Sequence, residues 1–230
     1  MLRMAAQGPC AFEGVSEPPD ELAAEYVSWE MERLATFHKL GLRAVVGNWS
    51  VGRPGMSTWE TYKPLLAEMG PDDLVGLHGY WADSLEVTDP EHNLWHVWRH
   101  LNPAARPYLA GKQIVLTEAG RDHIPDSGLP VNRWGYAGWK RDPRLTPEGY
   151  KDELHLFGMK LDDDPMMVGA CIFALDHRWP DHDVSSIWPD IVAGYDAEPE
   201  PIGRWVQAGE PVEYPADGER LRVTIERWQA

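Results

Sequence analysis

The chain has 230 residues, 37 acidic against 21 basic, a formal charge of −16 and twelve Trp. With 43% hydrophobic and 25% charged residues it has globular composition, sized for one large domain, which excludes the low-apolar, high-charge signature of disorder. The negative excess excludes a surface built to neutralise nucleic-acid phosphates or anionic lipid headgroups, because either would be approached against the protein's own field. No stretch reads as a membrane span, and the opening MLRMAAQGPCAFEG lacks the apolar run of a signal peptide, so localisation stays open.

In chain order, a short extended start at Cys10 to Val15 is followed by apolar residues at Leu22, Tyr26, Val27, Met31, Leu34 and Phe37, which is helical spacing. Pro18, Pro19 and Asp20 suit the start of that helix and Gly41 its end. Leu42 to Gly47 reads as a buried strand. Ser57 is a candidate N-cap for a helix through Met69, with Gly70 and Pro71 beyond it. Asp73 to Tyr80 is strand-like, and Glu91 to Leu101 has the spacing of a helix, with Trp95 and Trp98 in the core. Gln113 to Thr117 is a short strand. The segment from Ala119 to Arg144 is too long for a simple connector and is a candidate functional loop. Thr146 and Pro147 open a helix to about Leu161, and Met167 to Leu175 is the last apolar strand. After Trp179 the text is loop-like.

Five strands alternating with four helices, without hairpin turns, imply parallel strands joined by crossover helices. This predicts an α/β fold over residues 8–197. The tail, 198–230, is Pro-rich, and its LRVTIERW suits an edge strand or the start of a further domain.

In such a fold the functional groups sit where strands end and βα loops begin. Those positions hold Ser16 and Glu17, then Asn48 and Trp49, then His78, Tyr80 and Trp81, then Glu118, and finally Asp176, His177, Arg178 and Trp179. Two carboxylates on different strands, ringed by aromatic and amide groups, suit glycoside cleavage: one protonates the leaving oxygen and the other attacks or stabilises the anomeric carbon.

The motifs at these ends resemble those of clan A glycoside hydrolases. Phe12-Glu13-Gly14-Val15-Ser16-Glu17-Pro18 is similar to their fourth-strand motif, where Asn-Glu-Pro carries the acid/base. Leu77-His78-Gly79-Tyr80 looks like their sixth-strand His-x-Tyr, and Val115 to Gly120 like the seventh-strand Thr-Glu-x-Gly, whose Glu is the nucleophile. Trp179 lies where an eighth-strand Trp forms a sugar platform. The interval from Glu17 to Glu118 is close to the roughly 94 residues that three βα units of such a barrel occupy. The resemblance, covering about Cys10 to Trp188, implies strands four to eight of a TIM (β/α)8 barrel. It also implies a retaining glycosidase with Glu118 as nucleophile and Glu17 as acid/base, Glu13 being the reserve candidate. The sugar contacts it suggests are Ser16, Asn48, Trp49, His78, Tyr80, Trp81 and Trp179, joined by Trp134 and Trp139 of the long loop.

Two departures qualify the resemblance. Ser16 stands where the family has Asn, offering a shorter side chain and fewer hydrogen bonds. Strands one to three are missing, some 90 residues at about 31 per unit, which leaves sheet edges that a closed barrel lacks. We expect a late gene start or a truncation to account for this, ahead of a partner that completes the barrel. Trp49 and Trp81 suit packing better than sugar binding. The run DHRWPDHD, with Asp176, His177, Asp181, His182 and Asp183, lacks a ligand spacing such as HExxH and reads as a polar loop, so neither metal nor cofactor is expected. Cys10 and Cys171 fall on strands and read as buried thiols. The expected partner is a carbohydrate; the alternative is a non-catalytic carbohydrate-binding barrel or an inactive truncated fragment.

Overall fold

A computed structural model describes residues 11–82, 84–89, 91, 94–123, 137–175 and 178–195. Cys10, Trp134, Asp176, His177 and the tail 198–230 lie outside the described residues. The strands are β1 (Ala11–Glu13), β2 (Arg43–Trp49), β3 (Leu74–Trp81), β4 (Gln113–His123), β5 (Ala137–Gly138) and β6 (Met167–Ile172). The helices are α1 (Ala23–Lys39), α2 (Trp59–Glu68), the short α3 (Ser84–Thr88) and α4 (Arg106–Leu109), α5 (Pro147–Asp163) and α6 (Trp188–Tyr195). Five strands pair in parallel in the order β1, β2, β3, β4, β6, and β5 adds a short antiparallel pair at the end of β4. This is the expected α/β architecture, a curled half-barrel consistent with a partial TIM barrel. No described helix is long and apolar enough to cross a membrane.

Strand alternation divides the sheet into two faces. Phe12, Ala44, Val46, Val75, Leu77, Ile114 and Leu116 share one core with Leu34, Phe37, Leu65, Leu66 and Phe157 of the helices. The other set, Val45, Leu74 and Val115 with Ala11 and Val168, forms a separate small apolar layer on the concave side. Continuing the alternation from that layer brings Glu13, Gly76, His78 and Tyr80 to the same concave side. Gly76 is required there by close approach, since a Cβ would lie 1.9 Å from Asn48 Oδ1. Gly76→Ala is therefore expected to destabilise the protein by about 1–3 kcal/mol, the usual range for overpacking, read as a lower midpoint in thermal or urea unfolding.

Helix α1 ends as the sequence implies. Gly41 has φ +67°, its N–H reaches His38 O, and Leu42 N–H reaches Phe37 O, the paired bonds of a Schellman end. Helix α2 starts after Thr58 rather than Ser57, with no side-chain cap bond. Thr146 caps α5 as expected, its hydroxyl accepting from Gly149 N.

The stretch from Glu91 to Leu101 differs from the expected helix. Its described residues, 91 and 94–98, form turns that lead to a single 3-10 turn at Arg99–Leu101. Val97, Trp98, Arg99 and His100 are all buried, whereas a helix on a sheet buries one stripe. Their polar atoms reach in different directions. Trp98 Nε1 donates to Glu86 O at 2.6 Å, Arg99 donates to Trp49 O and Ser50 O at 2.5 Å, and His100 Nε2 pairs with Asp164 at 2.7 Å. Trp98 is core as expected, but Trp95 is substantially exposed.

Strand β4 outruns its sequence prediction because β3 continues beside it, His78 opposite Glu118 and Trp81 opposite Arg121. The first part of the expected long loop is thus sheet. Arg121 is buried and donates to Glu153 at 3.1 Å and to Asp142 at 2.7 Å. Trp81 Nε1 and Ser84 Oγ complete the Glu153 carboxylate at 3.0 and 2.6 Å. Helix α6 stands where the sequence suggests only loop. Pro189 gives that impression, yet it lies in the first turn, where the missing N–H costs nothing.

Candidate active site

The loop after β1 and the C-terminal ends of β3 and β4 meet at His78, whose side chain is 2% exposed. His78 Nδ1 lies 3.2 Å from Glu17 Oε1 and 3.5 Å from Glu118 Oε2. Ser16 Oγ is 3.4 Å from His78 Nε2 on the other side of the ring. With an Nδ1–H tautomer the imidazole donates toward both carboxylates and accepts from Ser16. The short Ser16 hydroxyl thus lies against the histidine.

Glu118 is held from a second direction. Tyr80 OH donates to Glu118 Oε2 at 2.9 Å. Burial, reinforced by the Glu118 charge and that hydrogen bond, pushes the Tyr80 phenol far above its ordinary value, so Tyr80 remains a proton-bearing donor. A β-bulge at Thr117 brings Glu118 opposite His78: Leu77 pairs with Leu116, and the next pair is His78 with Glu118.

Glu17 has φ +54°, the left-handed region, and its N–H donates to Asn48 O at 2.9 Å. Its side chain is 52% exposed. The hydrogen bond from His78, outweighing desolvation, holds the Glu17 carboxyl below its ordinary value. Glu13 behaves oppositely. Although its side chain opens to solvent, the surrounding protein desolvates it, and with the nearby Glu118 charge this pushes its carboxyl up, against the pull of His78 and Arg33. Cys171 on β6 feels the same two carboxylates. Burial first, then Glu13 and Glu118, pushes its thiol up to about 12, leaving it protonated at neutral pH. It is a free, half-buried thiol, less enclosed than the sequence suggests.

The structure brings Ser16, Glu17, His78, Tyr80 and Glu118 together. Of the aromatic ring, Trp49 and Trp81 pack, as the sequence favours, and Trp139 joins them in the core. Trp49 is fully buried against Trp59 and Tyr62, at centroid distances of 5.4 and 4.8 Å. Trp81 is fully buried beside Phe157 with its N–H on Glu153. Trp139 stacks on Tyr150 at 4.8 Å and donates to His182 O. These three tryptophans belong to the core shared by sheet and helices and have no ring face open to a sugar. Asn48 is also fully buried, with neither amide atom hydrogen-bonded among the described residues.

Trp179 is the expected platform that keeps an open surface, 37% exposed and edge-on to Phe173 at 5.5 Å and to His182 at 6.1 Å. Phe173 and His182 are not candidates that sequence position suggests, yet both pack edge-on to Tyr80, at 6.0 and 6.4 Å, and His182 is oriented by Asp122 at 3.0 Å. Nothing in their local sequence distinguishes them; the DHRWPDHD run is legible only as a polar loop. Among the described residues, no group of three or more His, Cys, Asp or Glu side chains is placed to hold a metal ion.

A solved GH113 β-1,4-mannanase is structurally similar. The two align over 83% of this chain and 68% of the mannanase at 15% sequence identity, with a TM-score of 0.39. No protein-family model matches the chain, and no curated protein matches it. What the site can do chemically is set by its own side chains. Two carboxylates meet at one imidazole, one with a phenol on it and the other solvent-accessible, beside an indole that keeps an open surface.

Proposed function

We propose that the chain carries the active site of a retaining glycoside hydrolase acting on O-glycosidic bonds of a carbohydrate. The observation that carries this reading is the sharing of His78 Nδ1. Glu17 Oε1 and Glu118 Oε2 lie 3.2 and 3.5 Å from that one atom and so can be no farther apart than those two distances laid end to end. For that pair of oxygens the ceiling accommodates the close approach of a retaining pair, whose carboxyl groups stand about 5–5.5 Å apart against about 6.5–9.5 Å in inverting enzymes.

In the proposed mechanism Glu118 attacks the anomeric carbon while the bond to the leaving oxygen breaks, and Glu17 gives that oxygen its proton. Water then gives a proton to Glu17 as its oxygen attacks the same carbon, which releases Glu118 and the sugar with retained configuration. Tyr80 holds the Glu118 oxygen that does not attack, and Trp179 offers an apolar surface to a sugar ring. The acidic balance of the chain suits a neutral substrate.

Glu13 supports a second reading of the proton donor. Its carboxyl is pushed up by desolvation and by Glu118, the direction a general acid needs, whereas His78 lowers Glu17. Glu17→Gln and Glu13→Gln assayed on aryl glycosides and on β-1,4-mannan separate the two. If Glu17 is the donor, its replacement lowers hydrolysis of poor leaving groups by about 10²–10⁴-fold and removes the basic limb of the pH profile, while Glu13→Gln keeps that limb. The reverse pattern assigns the proton to Glu13.

A further inference from the structure

We infer that Asn48 is a positioning residue rather than a sugar contact: its left-handed backbone at a β2 bulge presents the carbonyl that sets the conformation of Glu17. The register of β2 against β3 passes from Gly47 opposite Gly76 to Trp49 opposite Leu77, so Asn48 is the extra residue of a bulge. Bulges of this kind re-aim groups at strand ends. Gly47 and Asn48 both have positive φ, +103° and +49°. Asn is among the few side chains that adopt this region at low cost. Turned out of the ladder, Asn48 O accepts the Glu17 N–H at 2.9 Å, and Glu17 itself has φ +54°. Two residues of left-handed backbone, one at the end of β2 and one in the loop after the neighbouring β1, are thus tied to each other, at the point where one of the carboxylates must be aimed.

The bulge is braced from the helix side. Gly47 N–H donates to Tyr26 OH at 3.1 Å, and Tyr26 OH donates to Glu30 Oε1 at 2.7 Å. Glu30 is fully buried and paired with Arg33, which also donates to Phe12 O on β1 at 3.0 Å and Val45 O on β2 at 2.8 Å. One polar cluster on α1 therefore holds both strands whose ends form the Asn48–Glu17 link. On the concave side the Asn48 amide is seated over Gly76 and fully enclosed, out of reach of a ligand that approaches the mouth.

The catalytic consequence rests on the acid/base reading of Glu17 given above; the conformational claim does not. The test therefore reads Glu17 directly, by ¹³C carboxyl titration with the Glu17 signal assigned from its loss in Glu17→Gln. In the parent protein the hydrogen bond from His78 holds the Glu17 carboxyl below its ordinary value. Asn48→Val, whose β-branched side chain rejects the left-handed region, is expected to move that titration up to the ordinary glutamate range. Asn48→Gly, which keeps the backbone conformation and removes the amide, is expected to leave it low. Tyr26→Phe removes the acceptor of Gly47 N–H and is expected to shift it upward by a smaller amount, and it carries the test if Asn48→Val does not fold. An unchanged Glu17 titration in folded Asn48→Val, or in Tyr26→Phe where the Asn48→Val protein cannot be obtained, overturns the inference. So does Asn48→Gly raising the titration as fully as Asn48→Val, since that would assign the effect to the amide. If hydrolysis is found, Asn48→Val should lower kcat about 100-fold with KM little changed, the cost of a misplaced group. Absence of hydrolysis with the titration shifts present would sink the glycosidase reading and leave the positioning intact.

Discussion

Glu118→Gln is expected to lower kcat on aryl glycosides by about four orders of magnitude or more, while the affinity for an oligosaccharide stays within a few-fold of the parent. The replacement keeps an oxygen for Tyr80 OH, which now bonds Glu118 Oε2 at 2.9 Å, so the site retains its shape and loses only the attacking carboxylate. Steady-state kinetics beside calorimetric titration measures both quantities. This one variant separates the proposed enzyme from the rival of another class, a carbohydrate-binding half-barrel. A binder needs the open surface of Trp179 but has no use for a carboxylate gripped by both a phenol and an imidazole. Hydrolysis unchanged by Glu118→Gln would remove the proposed mechanism altogether.

Arg121→Met is expected to destabilise the fold more than any substitution named above, by about 3–5 kcal/mol, because it leaves the buried Glu153 carboxylate without its cation. Glu153 would keep Trp81 and Ser84 as neutral donors, and Asp142 would keep Arg144 at 2.8 Å. Urea denaturation measures the loss. The same network gives the fold part of its acid sensitivity. Burial alone would raise the Asp142 carboxyl, but Arg144 and Arg121 outweigh it and hold it well below the usual aspartate range. A depressed carboxyl stabilises the folded state fully above its unfolded value, about 3.9, and that stabilisation drains away as pH falls further. The urea midpoint of the parent protein should therefore fall steeply below about pH 4, and the slope should be shallower in Asp142→Asn. An equal slope in the two proteins would exclude Asp142 as a contributor.

Much of the architecture was legible because local chemistry and the fold agree. Gly41 ends α1 because only a residue at ease with positive φ closes that helix, and Thr146-Pro147 opens α5 because a hydroxyl and a ring suit a first turn. The apolar runs at β2, β3 and β6 read as strands covered on both faces, and their alternation with helices implied the parallel order. Where the sequence misled, burial was not confined to one stripe. The Val97 to His100 segment is enclosed on every side, so its periodicity carried no information about its backbone.

The candidate site divides along the same line. The chain's own text determined which residues are capable of the chemistry and which strands carry them: Glu17, His78, Tyr80 and Glu118 follow from strand ends and residue type. Only the tertiary structure decided how they are used. Whether a tryptophan at a strand end meets a sugar or the core depends on what encloses it, and Trp49, Trp81 and Trp139 are buried packing residues. Whether a carboxyl is raised or lowered depends on what surrounds it, and so Glu13 and Glu17, four positions apart in one motif, are driven in opposite directions. Chemical capability is local to a side chain, but direction, burial and electrostatic environment are set by neighbours distant in sequence.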